Sequence, residues 1–243
     1  MARSCYYLAA FAFFLVLVLA ESSPPCSATA TLQTITEASI FLLFANTSID
    51  SPTLHSHLAT AARNCEAFTA ENSGNADARF TWYHSLQPDT PDLIYYIGSW
   101  ASVREHLIDF VGSPIGRETV GLLASALDPA HLMHWAIDQA DCNNRAIETA
   151  DRLFVIRGFA KDDGQIGRLL GGGGDGDGQD DCDPSGSVTV ARRIDPNADD
   201  NEFIGLVRLD SSQSGQDAKV LAASPSWGGL TNVTVQILQR IDV

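Results

Sequence analysis

The sequence predicts an α+β fold in which a β-α-β-β-α-β order is run through twice. Three observations carry that reading. Between residues 36 and 139, apolar runs of strand length alternate with one strongly amphipathic helix and one capped helix. From 146 to 243 the same order returns in a reduced form. The chain has 243 residues and is 45% hydrophobic, enough for one large domain or two small ones.

Ahead of these elements lies a targeting segment. Met1–Ala20 has one cation, Arg3, followed by the apolar run Tyr6–Ala20. That run fits a signal-peptide core and is short for a span of about 20 residues. Cleavage after Ala20 or Ala30 would release a secreted chain; an uncleaved anchor helix is the alternative. Residues 21–35 then form a linker.

The first strand is read at Ile40–Ala45. Asp50 or Ser51 caps the next helix, with Pro52 in its first turn. Leu54, Leu58, Ala61, Cys65 and Phe68 recur at helical spacing, and Asn72-Ser73-Gly74 ends the run. Arg79–Leu86 and Leu93–Trp100 form a hairpin across Asp89-Thr90-Pro91-Asp92. Ser102-Val103-Arg104-Glu105 is a capping box for a helix reaching Phe110. After Gly112-Ser113-Pro114 a helix runs from about Ile115 to Leu127, and His131–Ile137 closes the first half as a strand.

The second half, 140–243, begins with a strand at Leu153–Ala160. Ile166–Leu170 is a helical remnant, Ser187–Ile194 and Glu202–Leu209 a hairpin, and Asp217–Ala223 a short helix. Thr231–Val243 alternates, placing Val233, Val235, Ile237, Ile241 and Val243 on one face, expected to be buried. Both halves therefore read as ferredoxin-like, the second degraded. Residues 171–183 interrupt it with five aspartates and no cation. They match neither an EF-hand nor a glycine-aspartate nonapeptide repeat, and read as a solvated acidic loop rather than a calcium site.

A net charge of −15 argues against nucleic acid, which selects clustered Lys and Arg. After the leader no stretch is apolar enough to span a bilayer, so no membrane partner is expected. Cleavage leaves Cys26, Cys65, Cys142 and Cys182; of the three possible pairings, Cys142–Cys182 is preferred. Asn46 and Asn232 begin glycosylation sequons. There is no CxxC and no Cys-His cluster, so no structural zinc is expected. Elbow-serine, P-loop and HExxH patterns are absent as well.

The element order, with Gly98-Ser99-Trp100-Ala101-Ser102-Val103-Arg104-Glu105-His106 and then Ser113-Pro114, resembles the antibiotic-biosynthesis-monooxygenase (ABM) family. Members carry a W-x-S-x-x-x-H … S-P run at the end of the third strand. His134–Asp138 is similar to the family's last strand, and the resemblance covers residues 36–139. It implies a dimeric α+β barrel of two sheets packed face to face. Residues 140–243 would supply the second sheet, giving a monomeric pseudo-dimer, or a homodimer. The resemblance also implies an oxidoreductase of secondary metabolism. Its substrate would be an aromatic, anthrone-type polyketide and molecular oxygen its co-substrate, without metal or flavin. The family's haem-degrading branch carries a His on the helix read here at Ile115–Leu127, which has none, so haem is not expected.

All six His lie at or before residue 134. His106 shares a helix face with Val103 and Phe110. It is a candidate base, or a His satisfied by a backbone carbonyl. His134 shares a strand face with Leu132 and is the second candidate; Trp135 points the other way. Trp100 is either an aromatic pocket wall or core packing. Trp82, His84, Tyr95 and Tyr96 are candidates for lining an aromatic or apolar small molecule. A secreted, non-catalytic binding protein with the same pocket is the alternative function.

Overall fold

In Ile35–Leu43 the apolar Ala38 and Ile40 alternate with Glu37 and Ser39, a two-residue period that a strand converts into two faces. This computed structural model describes residues 35–137, 147–161, 188–195, 201–209 and 230–243. The leader, the linker, Cys26, the Cys142–Cys182 pairing, the acidic loop and the helices read at 166–170 and 217–223 fall outside the described residues.

Ile35–Leu43 is strand β1. It starts earlier than the expected Ile40, because the polar half of an alternating strand is invisible to a search for apolar runs. Helix α1, Pro52–Asn72, starts at the predicted cap: the Ser51 hydroxyl accepts from the Leu54 amide at 3.4 Å, and Pro occupies the first turn. Its face Leu54, Leu58, Ala61, Cys65 and Phe68 is buried. Burying each large side chain contributes about 1.5–3 kcal/mol. The helix stops where the Ser73 hydroxyl donates to the Thr69 carbonyl and Gly74 turns left-handed at φ 71°.

Strands β2, Phe80–Ser85, and β3, Leu93–Trp100, form the expected hairpin. A π-helical segment, Glu105–Phe110, and helix α2, Pro114–Leu123, follow. Ser113 separates them and caps α2 through a 2.9 Å bond from the Gly116 amide. Strand β4 is Leu127–Ile137. Asp128-Pro129 thus opens a strand rather than ending a helix. Proline is accommodated there because the β1–β4 register shifts between Ile40 and Leu42. Strands β5 (Arg152–Phe159), β6 (Val188–Arg193), β7 (Glu202–Leu209) and β8 (Thr231–Arg240) complete the described elements.

The eight strands close into one antiparallel barrel, ordered β1-β3-β2-β8-β5-β7-β6-β4. Closure leaves no sheet edge running the length of the barrel. Around this circle β4-β1-β3-β2 and β8-β5-β7-β6 follow the same relative order. Two short seams join the sets: three residue pairs between β2 and β8, and two between β4 and β6. The fold is α+β and a barrel, as the resemblance implied, with its eight strands closed into one continuous sheet.

Inside the barrel pack Ala38, Ile40, Tyr95, Ile97, Trp135 and Leu206, among others. On the outer face, α1 and Phe110 cover Phe80, Trp82, Ile94, Tyr96 and Trp100. A third cluster, with Phe154, Ile156, Phe203 and Val207, lies on the outer face of β5 and β7. The alternating face of β8 is buried only in part. Val233 and Val243 are exposed, Val235 and Ile237 pack against the outer cluster of β5 and β7, Ile241 is buried, and Leu238, of opposite parity, faces the barrel interior. The reason is that the last strand of a closed barrel buries whichever face the neighbouring strands turn inward. Asn46 and Asn232 are both exposed, and Asn232 has φ 51°. No described helix is long and apolar enough to cross a membrane.

Candidate metal and catalytic centre

Strand pleating decides which side chains meet. Ala38 and Ile40 of β1 point into the barrel, so Glu37 and Ser39 point outward, beneath the helices. Trp135 of β4 points inward, so His134 points outward. The register pairs Ser39 with His134 and Glu37 with Gly98. Glu37 therefore stands one pleat from His134 on the same outer surface, with no side chain beside it at Gly98. A Cβ at Gly98 would come within 2.0 Å of the Phe80 ring, which fills that space and meets Trp100 edge-on at 4.8 Å.

The helical segment after β3 brings His106 to this surface. Its start is the predicted capping box. The Glu105 amide donates to the Ser102 hydroxyl at 3.0 Å, and the buried Glu105 carboxylate accepts from the Ala101 amide at 2.6 Å. The segment then winds as a π-helix, with the Val111 amide donating to the His106 carbonyl, where an α-helix was expected. A π-turn inserts one residue into the helical ladder, and such turns occur frequently at functional sites.

His106 Nδ1 donates to Glu37 Oε2 at 2.6 Å. The Trp100 ring lies parallel to the imidazole, centroids 4.4 Å apart at 11°. The His134 ring sits 5.6 Å from that of His106. His134 Nε2 is 3.9 Å from Glu37 Oε1, and that buried oxygen has no hydrogen-bond partner. The side chains of Glu37, His134 and His106 are 2%, 5% and 12% exposed. A buried carboxylate oxygen without a partner carries a large desolvation penalty unless a cation reaches it.

Behind His134 stands a charged chain. His134 Nδ1 donates to Asp195 Oδ1 at 2.8 Å. Asp195 Oδ2 accepts from the His134 amide at 2.9 Å and from Arg193 Nε at 2.8 Å. Arg193 and Arg157 both bond the fully buried Glu202, and both guanidiniums lie over the Trp135 ring. Burial pulls the His134 pKa down. The hydrogen bond to Asp195 and the charges of Glu37 and Asp195 outweigh it and raise the pKa above the ordinary value. Burial also pushes Asp195 up, but its bonds with His134 and Arg193 hold it below the usual carboxylate range.

Two imidazoles and one carboxylate therefore converge, with all donor atoms within 4.8 Å of one another. An ion bound at about 2.1 Å from each donor separates them by no more than about 4.2 Å, so small side-chain shifts suffice. The expectation of neither metal nor cofactor is thus corrected: Glu37, His106 and His134 form a set able to hold a metal. The argument against haem also loses its ground. It rested on Ile115–Leu127, whereas the helical imidazole of this centre is His106, one segment earlier.

The structure brings His106, His134 and Trp100 together. Among the described contacts, none joins Trp82, His84, Tyr95 or Tyr96 to this trio. The Trp82 indole donates to the Leu58 carbonyl at 3.0 Å and packs against Tyr96 in the helix-facing core. Tyr95 points into the barrel and bonds Gln236. His84 is half-buried on β2. Burial raises the hydroxyl pKa of both Tyr95 and Tyr96. A cleft of about 300 Å³ opens elsewhere, at the start of α1, lined by Asn46, Ser51, His57 and Ser125 among others. None of Glu37, His106 and His134 lines it.

Sequence reasoning missed Glu37, Asp195, Arg193 and Glu202. Glu37 had a signal: a carboxylate within an alternating strand whose inward side chains are apolar. Asp195 had none, because its role arises from pairing across 61 residues.

No family model matches the chain, and no curated protein matches it. Solved structures do. A provisionally assigned monooxygenase from Fusobacterium nucleatum subsp. nucleatum aligns with TM-score 0.50 at 9% identity, over 86% of this chain and 93% of its own. Another from Lactobacillus acidophilus gives 0.46 at 11%, over 85% and 94%. A chlorite dismutase from Candidatus Nitrospira defluvii gives 0.44 at 11%, over 86% and 92%. At such identities the likeness extends to the fold alone, an α+β barrel; membership of the ABM family does not follow from it.

Proposed function

We propose that this chain is a metal-dependent oxidoreductase of the oxygenase type, acting on an aromatic or apolar small molecule. The observation that carries the reading is the convergence of Glu37, His106 and His134. Two His and one carboxylate with open positions are the ligand set suited to non-haem iron(II) and oxygen chemistry. The monooxygenase assignment of the Fusobacterium protein, which shares the fold, supports the same class.

A bound divalent ion would act as a Lewis acid and a meeting point for oxygen and substrate. The chain's own residues do the rest. Glu37 supplies the negative charge that retains the ion. His134 presents Nε2 while Asp195 holds its other nitrogen. Trp100 packs on His106 and, with Phe110, excludes water from one side. An aromatic, anthrone-like substrate of secondary metabolism is the class that the ABM resemblance supports, with Trp100 as the nearest aromatic surface. Export as a glycoprotein is proposed on the leader pattern and on two sequons at exposed asparagines. A monomer is proposed because one chain closes the barrel.

The test is anaerobic loading of the mature protein with iron(II), followed by oxygen uptake with an anthrone. Stoichiometric binding and substrate-dependent uptake, both lost in Glu37→Gln, are expected. Uptake that persists in metal-stripped protein would overturn the metal reading. Metal binding without any substrate-dependent uptake across aromatic substrates would favour the binding protein.

A further inference from the structure

The geometry points to Asp195 and Arg193 as positioning residues for the metal ligand His134, supplied by the end of β6 and the bend that follows it. This inference rests on the metal reading above. His134 has two ring nitrogens, and only one can face Glu37. Its Nδ1–H donates to Asp195 Oδ1, leaving Nε2 as the lone-pair nitrogen toward the centre. A carboxylate behind a ligating imidazole fixes its tautomer, orients the ring and raises its basicity.

Asp195 is itself held at both oxygens. Oδ2 accepts from the His134 amide and from Arg193 Nε, so backbone and side chain of the same residue hang on one carboxylate. The Ile194 amide donates back to the His134 carbonyl at 3.0 Å. These contacts extend the β4–β6 seam, which has only two residue pairs of its own. Arg193 cannot swing away freely. Its other end bonds Glu202, which is buried and also held by Arg157, and the guanidinium lies over Trp135 at 5.7 Å. The position of the ligand is thus set by a chain running Arg157–Glu202–Arg193–Asp195–His134. A lone aspartate on a surface turn would wander; this one is 5% exposed and saturated with donors.

The sequence separates these residues from the ligands they serve. Asp195 lies 61 positions beyond His134 and 89 beyond His106. A structural salt bridge alone would stabilise the seam without affecting the ion, and that is what the test must separate.

Zinc(II) affinity is measured by competition dialysis on full mature chains, wild-type, Arg193→Met, Arg193→Lys and Asp195→Asn, alongside metal-free melting. On the metal-free forms, the protonated nitrogen of His134 is read from long-range ¹H–¹⁵N imidazole spectra. Arg193→Met and Asp195→Asn should each weaken zinc binding about 10- to 100-fold. Both should lose the single Nδ1–H tautomer, and Arg193→Lys should recover part of each effect. Unchanged zinc affinity and tautomer in Arg193→Met, whatever its melting point, would overturn the positioning role while leaving the metal centre standing. A wild-type chain that takes up neither zinc(II) nor iron(II) would overturn both.

Discussion

The central strands of the two strand sets, β1 and β5, occupy matching places in the barrel. β1 lies between β4 and β3, and β5 between β8 and β7. Their outward faces differ. On β5 it carries Phe154 and Ile156, packed in an apolar cluster. On β1 it carries Glu37 and Ser39, both nearly inaccessible. The barrel therefore does not need polar groups at these positions; hydrophobic residues fill them at lower desolvation cost. What β1 gives up in packing is spent on a centre, which is why Glu37 reads as chemistry rather than architecture.

The sharpest way to break this comparison is to make β1 resemble β5. Glu37→Leu should abolish metal uptake, a loss of at least about 100-fold, and the metal-free protein should melt lower than wild-type. Removing the carboxylate leaves the buried His106 Nδ1 without the oxygen it bonds at 2.6 Å. Calorimetric titration and melting on one preparation check both halves. Saturating metal at 100 times its dissociation constant should stabilise wild-type by about 2.7 kcal/mol and Glu37→Leu not at all.

The next effect concerns alkali, and the groups responsible sit in α1, β2 and β3. Burial pushes up the Cys65 thiol and the hydroxyls of Tyr83, Tyr95 and Tyr96. In the unfolded chain they ionise at ordinary values near 8.5 and 10. The native state then holds more protons, so stability falls as pH rises above those values and is unaffected by them below. Each pH unit above the ordinary value should remove about 1.4 kcal/mol per group. Urea melts from pH 7 to 11 should be level at first and steepen above about 9. Cys65 in the folded protein should resist a thiol reagent at pH 8.

Two glycines give smaller effects of opposite sign. Gly98→Ala forces a methyl against Phe80 at 2.0 Å and should destabilise by about 1–3 kcal/mol. Because Phe80 meets Trp100, it should also disturb the tryptophan fluorescence. Gly121 lies in α2, and a Cβ there meets nothing within 4 Å. Gly121→Ala should stabilise by about 0.5–1 kcal/mol through helix propensity alone. Denaturant midpoints order the two.

Much of the fold was legible where the cause is local. The limits of β3 and β7, the Ser51 cap, the stop at Gly74 and the Ser102–Glu105 box depend on side chains a few residues apart. Elements were misjudged where partners intervene. β4 extends back to Leu127 because β1 offers it a register, and the buried face of β8 is chosen by its neighbours. Two of the three converging side chains were legible too: His106 through its capping box, and His134 through its opposition to Trp135.

By itself, then, the sequence determined the local elements, the clustering of imidazoles in the first half, the placement of His106 between helix and sheet and the opposition of His134 to Trp135. Helix caps, turn chemistry and two-residue alternation act over a few bonds, so they set where elements form even where neighbours choose the face that is buried. Only the tertiary structure decided that Glu37 stands between those imidazoles, and that Asp195, Arg193 and Glu202 stand behind one of them. Those meetings span 69 residues from Glu37 to His106 and 61 from His134 to Asp195. Their geometry comes from strand register and barrel closure. In an antiparallel sheet a shift of one residue sends every side chain to the opposite face. Such a shift would carry Glu37 into the barrel and dissolve the centre without altering one local preference.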